Sequence, residues 1–372
     1  MNIGIICYDL SRNGGSEKVA INLFNSLNKF FDNVELISLF CEHDSAAMFN
    51  ITNYKCVTNH KGSFLRDFTC TFRELNKFIK EKNIDVVLSI GMNAAIYTCL
   101  LKNNSSLRAV ICEHSNISNK MYNSFRQNIK RIIATNCADK IVVLTDSDCN
   151  EYKKRYPKSA DKFTYIYNWI EDNWFDNELD YDMNSKKIIT VCRLDRVKGI
   201  ERSIEAAEIV FAKHKDWQWH IYGSGDDDYL KELKQLVIEK KLENNFIFMG
   251  PCYQLTDVYP QYSIYVCTSY YEGLPISLLE AKTKKLPIIS FDIKTGPNEI
   301  IKNEINGFLV KDGDVDSLAN ALMKLVEDET LRFDFSSKSM IDIEKFSKST
   351  IEQKWVELIN EVTNQTASIM TK

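Results

Sequence analysis

Two glutamates, Glu272 and Glu280, stand eight residues apart in "SYYEGLPISLLEA" (Ser269–Ala281), flanking a Gly273-Leu274-Pro275 corner that runs into an apolar stretch. A glutamate before a glycine escapes regular backbone pairing. Pro275 suits the first position of a helix, where its missing N–H is not needed. Such a corner should turn free backbone amides toward a ligand. The carboxylates beside it can each accept two hydroxyl hydrogen bonds.

A cationic complement lies upstream. "CRLDRVKG" sets Arg193 and Lys198 five residues apart at the end of a strand-like run. Arginine grips two phosphate oxygens at once and lysine adds a compact charge, so the pair suits a diphosphate; the alternative is an exposed pair with no ligand. Glycines follow two other strand-like runs. Gly14 and Gly15 in "SRNGGS" precede a helix and can bring bare backbone close to an anion, or form only a tight turn. Gly223 opens a G-x-G in "YGSGDDD". Neither is the G-x-G-x-x-G of dinucleotide oxidoreductases, and no acidic residue closes the second strand at the right distance, which argues against a nicotinamide enzyme.

Placing these residues requires strands that end beside helix starts. Ile- and Val-rich runs recur at helix-sized intervals: "NIGIIC", "VELISLF", "DVVLSI", "RAVICEH", "KIVVLT" and "FTYIYN". Between them Val19, Leu23, Phe24 and Leu27 keep helical spacing, as do Phe72, Leu75, Phe78 and Ile79. This βαβ rhythm predicts a doubly wound parallel sheet with its ligand crevice at the strands' carboxyl ends. It restarts after residue 185 with "KKIITVCRL", "WQWHIYGSG", "NNFIFMG", "SIYVCTS", "LPIISFD" and "NGFLV". The expected organisation is therefore an α/β domain over 1–168, a polar acidic linker over 169–185, and a second α/β domain over 186–345. A helix over 346–372 presents a stripe of Ile351, Trp355, Leu358 and Ile359, which either covers its own domain or crosses back to the first.

Length supports two domains, since 372 residues exceed what one core usually holds. The N-terminus lacks a basic signal-like region and no run of about 18 apolar residues occurs, so neither secretion nor membrane spanning is expected. Eleven cysteines, an odd number without a C-x-x-C pair, argue against a disulfide framework or zinc site and fit a reducing cytoplasm. Residues 1–168 carry 22 Lys and Arg against 16 Asp and Glu, and the remainder 25 against 35. A basic first half could face an anionic surface such as lipid headgroups, or be only a solvated charge distribution. Nucleic acid is not expected, because no arginine-rich or aromatic-interleaved motif appears.

In order, "NGGSEK", "EHS", "CRLDRVKG", "YGSGDD", "SYYEGLPISLLEA" and "NGFLV" resemble family 4 of the retaining glycosyltransferases over nearly the whole chain. The resemblance implies the GT-B fold, two Rossmann-like doubly wound domains facing across a cleft, with a nucleotide-sugar held mainly by the second. It makes Arg193 and Lys198 the diphosphate clamp and Glu280 the ribose ligand. Glu272, Gly273 and Leu274 would meet the sugar, with Gly14, Gly15 and Gly223 also at the donor. His114, in "ICEHSN", matches the family's active-site histidine, whose role would be to hydrogen-bond the sugar and organise the reaction centre. The implied reaction is transfer of a glycosyl group to an acceptor hydroxyl with the anomeric configuration kept, the departing phosphate taking the acceptor proton. No metal is then expected, and "DSD" (Asp146–Asp148), a literal D-x-D, is expected to cap a helix instead.

Bacterial transferases of O-antigen, capsule and lipid-linked glycans are the most similar members. They imply a UDP-hexose or UDP-N-acetylhexosamine donor and a lipid-linked acceptor at the inner face of the cytoplasmic membrane, where the protein would bind peripherally. Candidate contact surfaces are Phe64 to Lys82 and Lys120 to Arg131, where basic and apolar residues mix. A sugar-nucleotide epimerase of the same fold and a non-catalytic nucleotide-sugar binder are the alternatives.

Overall fold

The computed structural model describes residues 1–11, 14–41, 53–58, 64–102, 106–118, 124–175 and 181–369, without the side chains of 64–66 and 365–369. The chain divides into two compact units, Met1–Asn168 with Ser349–Lys372, and Trp169–Lys348.

The first unit holds seven parallel strands: β1 (Asn2–Asp9), β2 (Asn33–Phe40), β3 (Tyr54–Thr58), β4 (Val86–Ile90), β5 (Arg108–Glu113), β6 (Lys140–Val143) and β7 (Phe163–Tyr165), in the order β3-β2-β1-β4-β5-β6-β7. Their near-continuous burial is what a sheet covered on both faces requires; all five residues of β4 are buried. The run that sequence reading missed is β3. It is an edge strand with no fully buried residue, and its single Val57 makes no Ile/Val run. Beside it comes a correction to the expectation of reduced cysteines: Cys41, just past β2, and Cys56 of β3 form a disulfide. Strand pairing brings them together, which their spacing did not reveal.

In the second unit β8 (Lys187–Val191), β9 (Gln218–Tyr222), β10 (Phe246–Gly250), β11 (Ile264–Cys267), β12 (Ile288–Asp292) and β13 (Gly307–Lys311) run parallel in the order β10-β9-β8-β11-β12-β13. The winding direction reverses between β1 and β4 and again between β8 and β11. Loops at those carboxyl edges diverge and leave a crevice.

The polar segment after Asn168 packs on the second unit. Trp174 meets the Tyr259 ring edge-on at 5.5 Å, and the Tyr181 hydroxyl donates to the Ser263 carbonyl at 2.8 Å. The terminal helix Lys348–Ile369 lies mostly in the first unit, where Ile351, Trp355, Leu358 and Ile359 are buried. There Glu352 accepts from Ser26 Oγ at 2.7 Å and from Lys29 Nζ at 2.9 Å.

Candidate active site

The second unit's crevice is built first by backbone. After β8 and β9 two loops cross so closely that side chains are excluded. A Cβ on Gly223, whose φ is +140°, would lie 1.8 Å from the Cys192 carbonyl oxygen, and one on Gly225 would lie 2.1 Å from that of Leu194. The crossing is fastened by amides of Cys192 and Leu194 donating to Tyr222 and Ser224 carbonyls, both at 3.0 Å. The glycines of "YGSGDDD" therefore let two chains touch, a structural reason independent of any ligand.

From this crossing the chain turns through Arg196–Lys198, a short 3₁₀ turn capped by the Asp195 carboxylate, and leaves through Gly199 at φ +58°. The turn aims Lys198 inward. Its ammonium donates to Glu272 Oε1 at 2.7 Å, and Ser269 Oγ donates to the same oxygen at 2.6 Å. Burial opposes the charge on Lys198, but the attraction and hydrogen bond of Glu272 outweigh it, and its pKa is raised above the ordinary lysine value. Lysine and glutamate thus form one partly buried ion pair, a coupling that their 74-residue separation hid.

Glu272 opens the Gly-Leu-Pro corner, whose tightness depends on Gly296. With φ at +101°, that residue lies where a Cβ would come 2.7 Å from the Gly273 carbonyl oxygen. Pro275 is the cap residue rather than the first helical one, and the helix runs Ile276–Thr283. One turn in, Glu280 Oε2 accepts from the Tyr259 hydroxyl at 2.9 Å. Burial, reinforced by the Glu280 charge, pushes the Tyr259 pKa well above its usual value, so it remains a donor to the carboxylate.

Arg193, Lys198, Gly223, Glu272, Leu274 and Glu280 line one pocket of about 670 Å³, together with Ile276 and Ser277 at the start of the helix. Arg193 is the outlying member, 67% exposed and paired with Asp195 at 2.7 Å. Cys192 also lines the pocket, but burial raises its thiol pKa to about 12, so it offers no thiolate nucleophile. The arrangement offers two cations, a helix start and two fixed carboxylates, which suits an anionic group joined to a polyol.

Gly14, Gly15 and His114 lie in the first unit, after β1 and β5 on either side of β4. Gly14 caps the helix Gly15–Leu27, and the Glu17 carboxylate lies against it; Arg12 and Asn13 of the same motif fall outside the described residues. His114 sits in a loop held by buried charge. Arg131 reaches Glu113 Oε2 at 3.2 Å and Ser115 Oγ at 3.0 Å, gripping the residue on each side. Asp148 accepts the Ile117 amide at 3.2 Å. Its pKa is raised to about 7, chiefly by burial. The helix cap is Thr145, so the expectation that "DSD" caps is corrected: Asp148 anchors the histidine loop. His114 Nε2 is buried with no hydrogen-bond partner among the described residues, and burial lowers the ring's pKa to about 4. At neutral pH it is an uncharged imidazole.

Two parallel-sheet α/β units with this topology define the GT-B class. Residues 13–174 match Glycosyltransferase Family 4 and residues 173–340 match Glycosyl transferases group 1. The chain belongs to the family-4-like glycosyltransferases. It is 26% identical to the amylovoran biosynthesis glycosyltransferase AmsD of Erwinia amylovora, across 96% of this chain and 99% of that protein. Identity is 25%, across 98% and 99%, with a Campylobacter jejuni alpha-1,4-N-acetyl-D-galactosaminyltransferase named for a diNAcBac-PP-undecaprenol acceptor. The Anabaena HepE structure, a complex with UDP, matches the fold with a TM-score of 0.82 over 97% of this chain and 100% of that one, at 18% identity.

Proposed function

We propose that this glycosyltransferase moves a hexose or N-acetylhexosamine from a UDP-sugar to a hydroxyl of a lipid-linked bacterial surface glycan, with retention and without a metal. The observation that carries this is the pocket in which Lys198 is paired to Glu272 while Glu280 is fixed by Tyr259. The UDP complex of HepE supports the choice of nucleotide, and the Campylobacter relative supports a lipid-linked acceptor.

In this reading Arg193 and Lys198 take the diphosphate, Glu280 the ribose hydroxyls, and Glu272 with the Gly273 and Leu274 backbone the sugar. Gly14 and Gly15 leave room for the donor at the first unit. The bond from the anomeric carbon to the diphosphate oxygen breaks, the acceptor oxygen joins the same face, and its proton passes to the leaving phosphate. The cations stabilise the charge left on that phosphate, the role a metal plays elsewhere. Neutral His114 presents a hydrogen-bonding nitrogen without adding charge. The protein works at the inner face of the cytoplasmic membrane, on an anionic surface.

Purified protein is incubated with UDP-Glc, UDP-Gal, UDP-GlcNAc and UDP-GalNAc, with and without lipid-linked acceptor, in excess EDTA, and the product linkage is read by NMR. The expected result is acceptor-dependent UDP release and an α-linked product. Donor consumption without acceptor would instead indicate an epimerase, and activity restored only by Mn²⁺ would refute metal independence.

A further inference from the structure

The two segments in which basic and apolar residues mix meet different fates in the fold. In the helix Phe64–Glu81, Leu75 and Ile79 are buried in the core and Phe68, Phe72 and Phe78 pack against it. Its apolar stripe is used. The helix Phe125–Cys137 is turned the other way: its inward face is Arg131, Ala134 and Thr135, all buried. Phe125, Ile129, Ile132 and Ile133 face outward with 79, 42, 50 and 41% of their surface exposed. Those four recur at the i, i+4, i+7, i+8 spacing of a single helical stripe. Other large apolar residues exposed in the fold, such as Phe30 and Phe333, stand singly.

The rim of this stripe is cationic. Between Ser124 and Cys137 there is no aspartate or glutamate, while Arg126 and Lys130 lie on the helix and Arg155 reaches it through Asn128 Oδ1 at 3.2 Å. An apolar ridge edged by cations matches the boundary between lipid headgroups and acyl chains. A second copy docked here about a twofold axis would bring a second Arg126 and Lys130 into the same interface and add like charge to it. Residues 120–123 of the candidate surface Lys120 to Arg131 lie outside the described residues.

Resting on the proposed membrane-side glycosyl transfer, we infer that the helix Phe125–Cys137 is the surface by which the protein seats on an anionic lipid bilayer, inserting Phe125, Ile129, Ile132 and Ile133 between headgroups. The same helix grips the histidine loop through Arg131 on its inner side. Seating it therefore places the loop bearing His114 next to the bilayer that carries the acceptor.

The test is flotation of the whole protein with vesicles of equal phosphatidylglycerol and phosphatidylethanolamine, and with phosphatidylcholine alone, at low and high salt, alongside UDP titration. Ile132→Ser/Ile133→Ser should lower partitioning onto the anionic vesicles by at least about tenfold, as expected when apolar insertion is lost. Arg126→Gln/Lys130→Gln should abolish the preference for anionic over neutral lipid. Both variants should bind UDP like the wild type, since none of these residues lines the nucleotide pocket. Wild type that binds UDP but no vesicles overturns the inference and leaves the glycosyltransferase reading standing; wild type that binds no UDP condemns that reading instead. Equal vesicle binding by the Ile132→Ser/Ile133→Ser variant overturns the inference, as does a dimer in sedimentation that this variant dissociates, because a second copy would then cover the stripe.

Discussion

The second unit's pocket and the first unit's histidine loop are both made of charged residues at strand carboxyl ends, yet they treat charge in opposite ways. In the pocket, Lys198, Glu272 and Glu280 are partnered at the edge of solvent, and Arg193 stands largely in it. In the loop, Glu113 and Arg131 are 2% and 1% exposed, while the ring nitrogen they serve to place has no partner among the described residues. Charges near solvent can exchange a protein partner for a ligand's phosphate at little cost. A buried pair cannot exchange, and holds position instead.

The largest expected effect concerns the backbone each region needs. Gly223→Ala places a Cβ inside van der Waals contact of the Cys192 carbonyl and should cost about 3 kcal/mol or more, with loss of UDP binding. Gly15→Ala has nothing within 4 Å of the new Cβ and should leave thermal stability within about 0.5 kcal/mol of wild type. Calorimetric unfolding of both checks the contrast, and equal destabilisation would remove it.

Next come the arginines. Arg131→Met strands the buried Glu113 carboxylate and should cost about 3 to 5 kcal/mol in denaturant unfolding. Arg193→Met breaks only an exposed pair and should change stability by less than about 0.5 kcal/mol, while weakening UDP binding through loss of a charge-assisted contact.

The comparison also has a pH signature. His114 is depressed from 6.5 to about 4, so between these values the unfolded chain takes up a proton that the folded one refuses, and acidification destabilises. Asp148 is raised from 3.8 to about 7, so over much of that window the folded chain holds a proton that the unfolded one releases, and acidification stabilises. The two effects oppose each other. Relative to wild type, Asp148→Asn should therefore lose stability more steeply as pH falls from about 6.5 to about 4, and His114→Asn less steeply. Denaturation midpoints across that range decide it; parallel curves would mean neither group is shifted.

The smallest effect is in two left-handed residues. Lys285 at φ +60° follows the helix bearing Glu280, and Asn83 at φ +47° follows the one ending at Glu81. Asparagine adopts that conformation at lower cost than lysine, so Lys285→Gly should stabilise by about 0.5 to 1 kcal/mol and Asn83→Gly by nearly nothing.

What the sequence disclosed follows the same division. Strands buried on both faces announced themselves as Ile/Val runs, and edge strand β3 did not, because Lys55 and Thr58 need no apolar alternation at a half-exposed edge. That Arg193, Lys198, Glu272 and Glu280 would gather in one place was legible from their residue types and short local spacing. Their partners were not. Tyr259 lies 21 residues from Glu280, and Gly296 matters only because the Gly273 carbonyl passes beside it. Arg131 was grouped with the candidate contact surface Lys120 to Arg131, yet it is buried. It pairs there with Glu113, and no local pattern records a partner 18 residues away.

Titration calorimetry of UDP into wild type, Glu280→Gln and Glu280→Ala tests the central claim most directly, namely that the second unit's pocket receives the nucleotide. Glu280→Gln keeps an acceptor for the Tyr259 hydroxyl and serves as the check on folding. The account predicts measurable UDP binding by wild type and a loss of roughly one to two powers of ten in Glu280→Ala, for a contact worth about 1.5 to 3 kcal/mol, with Glu280→Gln in between. Folded Glu280→Ala that binds UDP as tightly as wild type would contradict it.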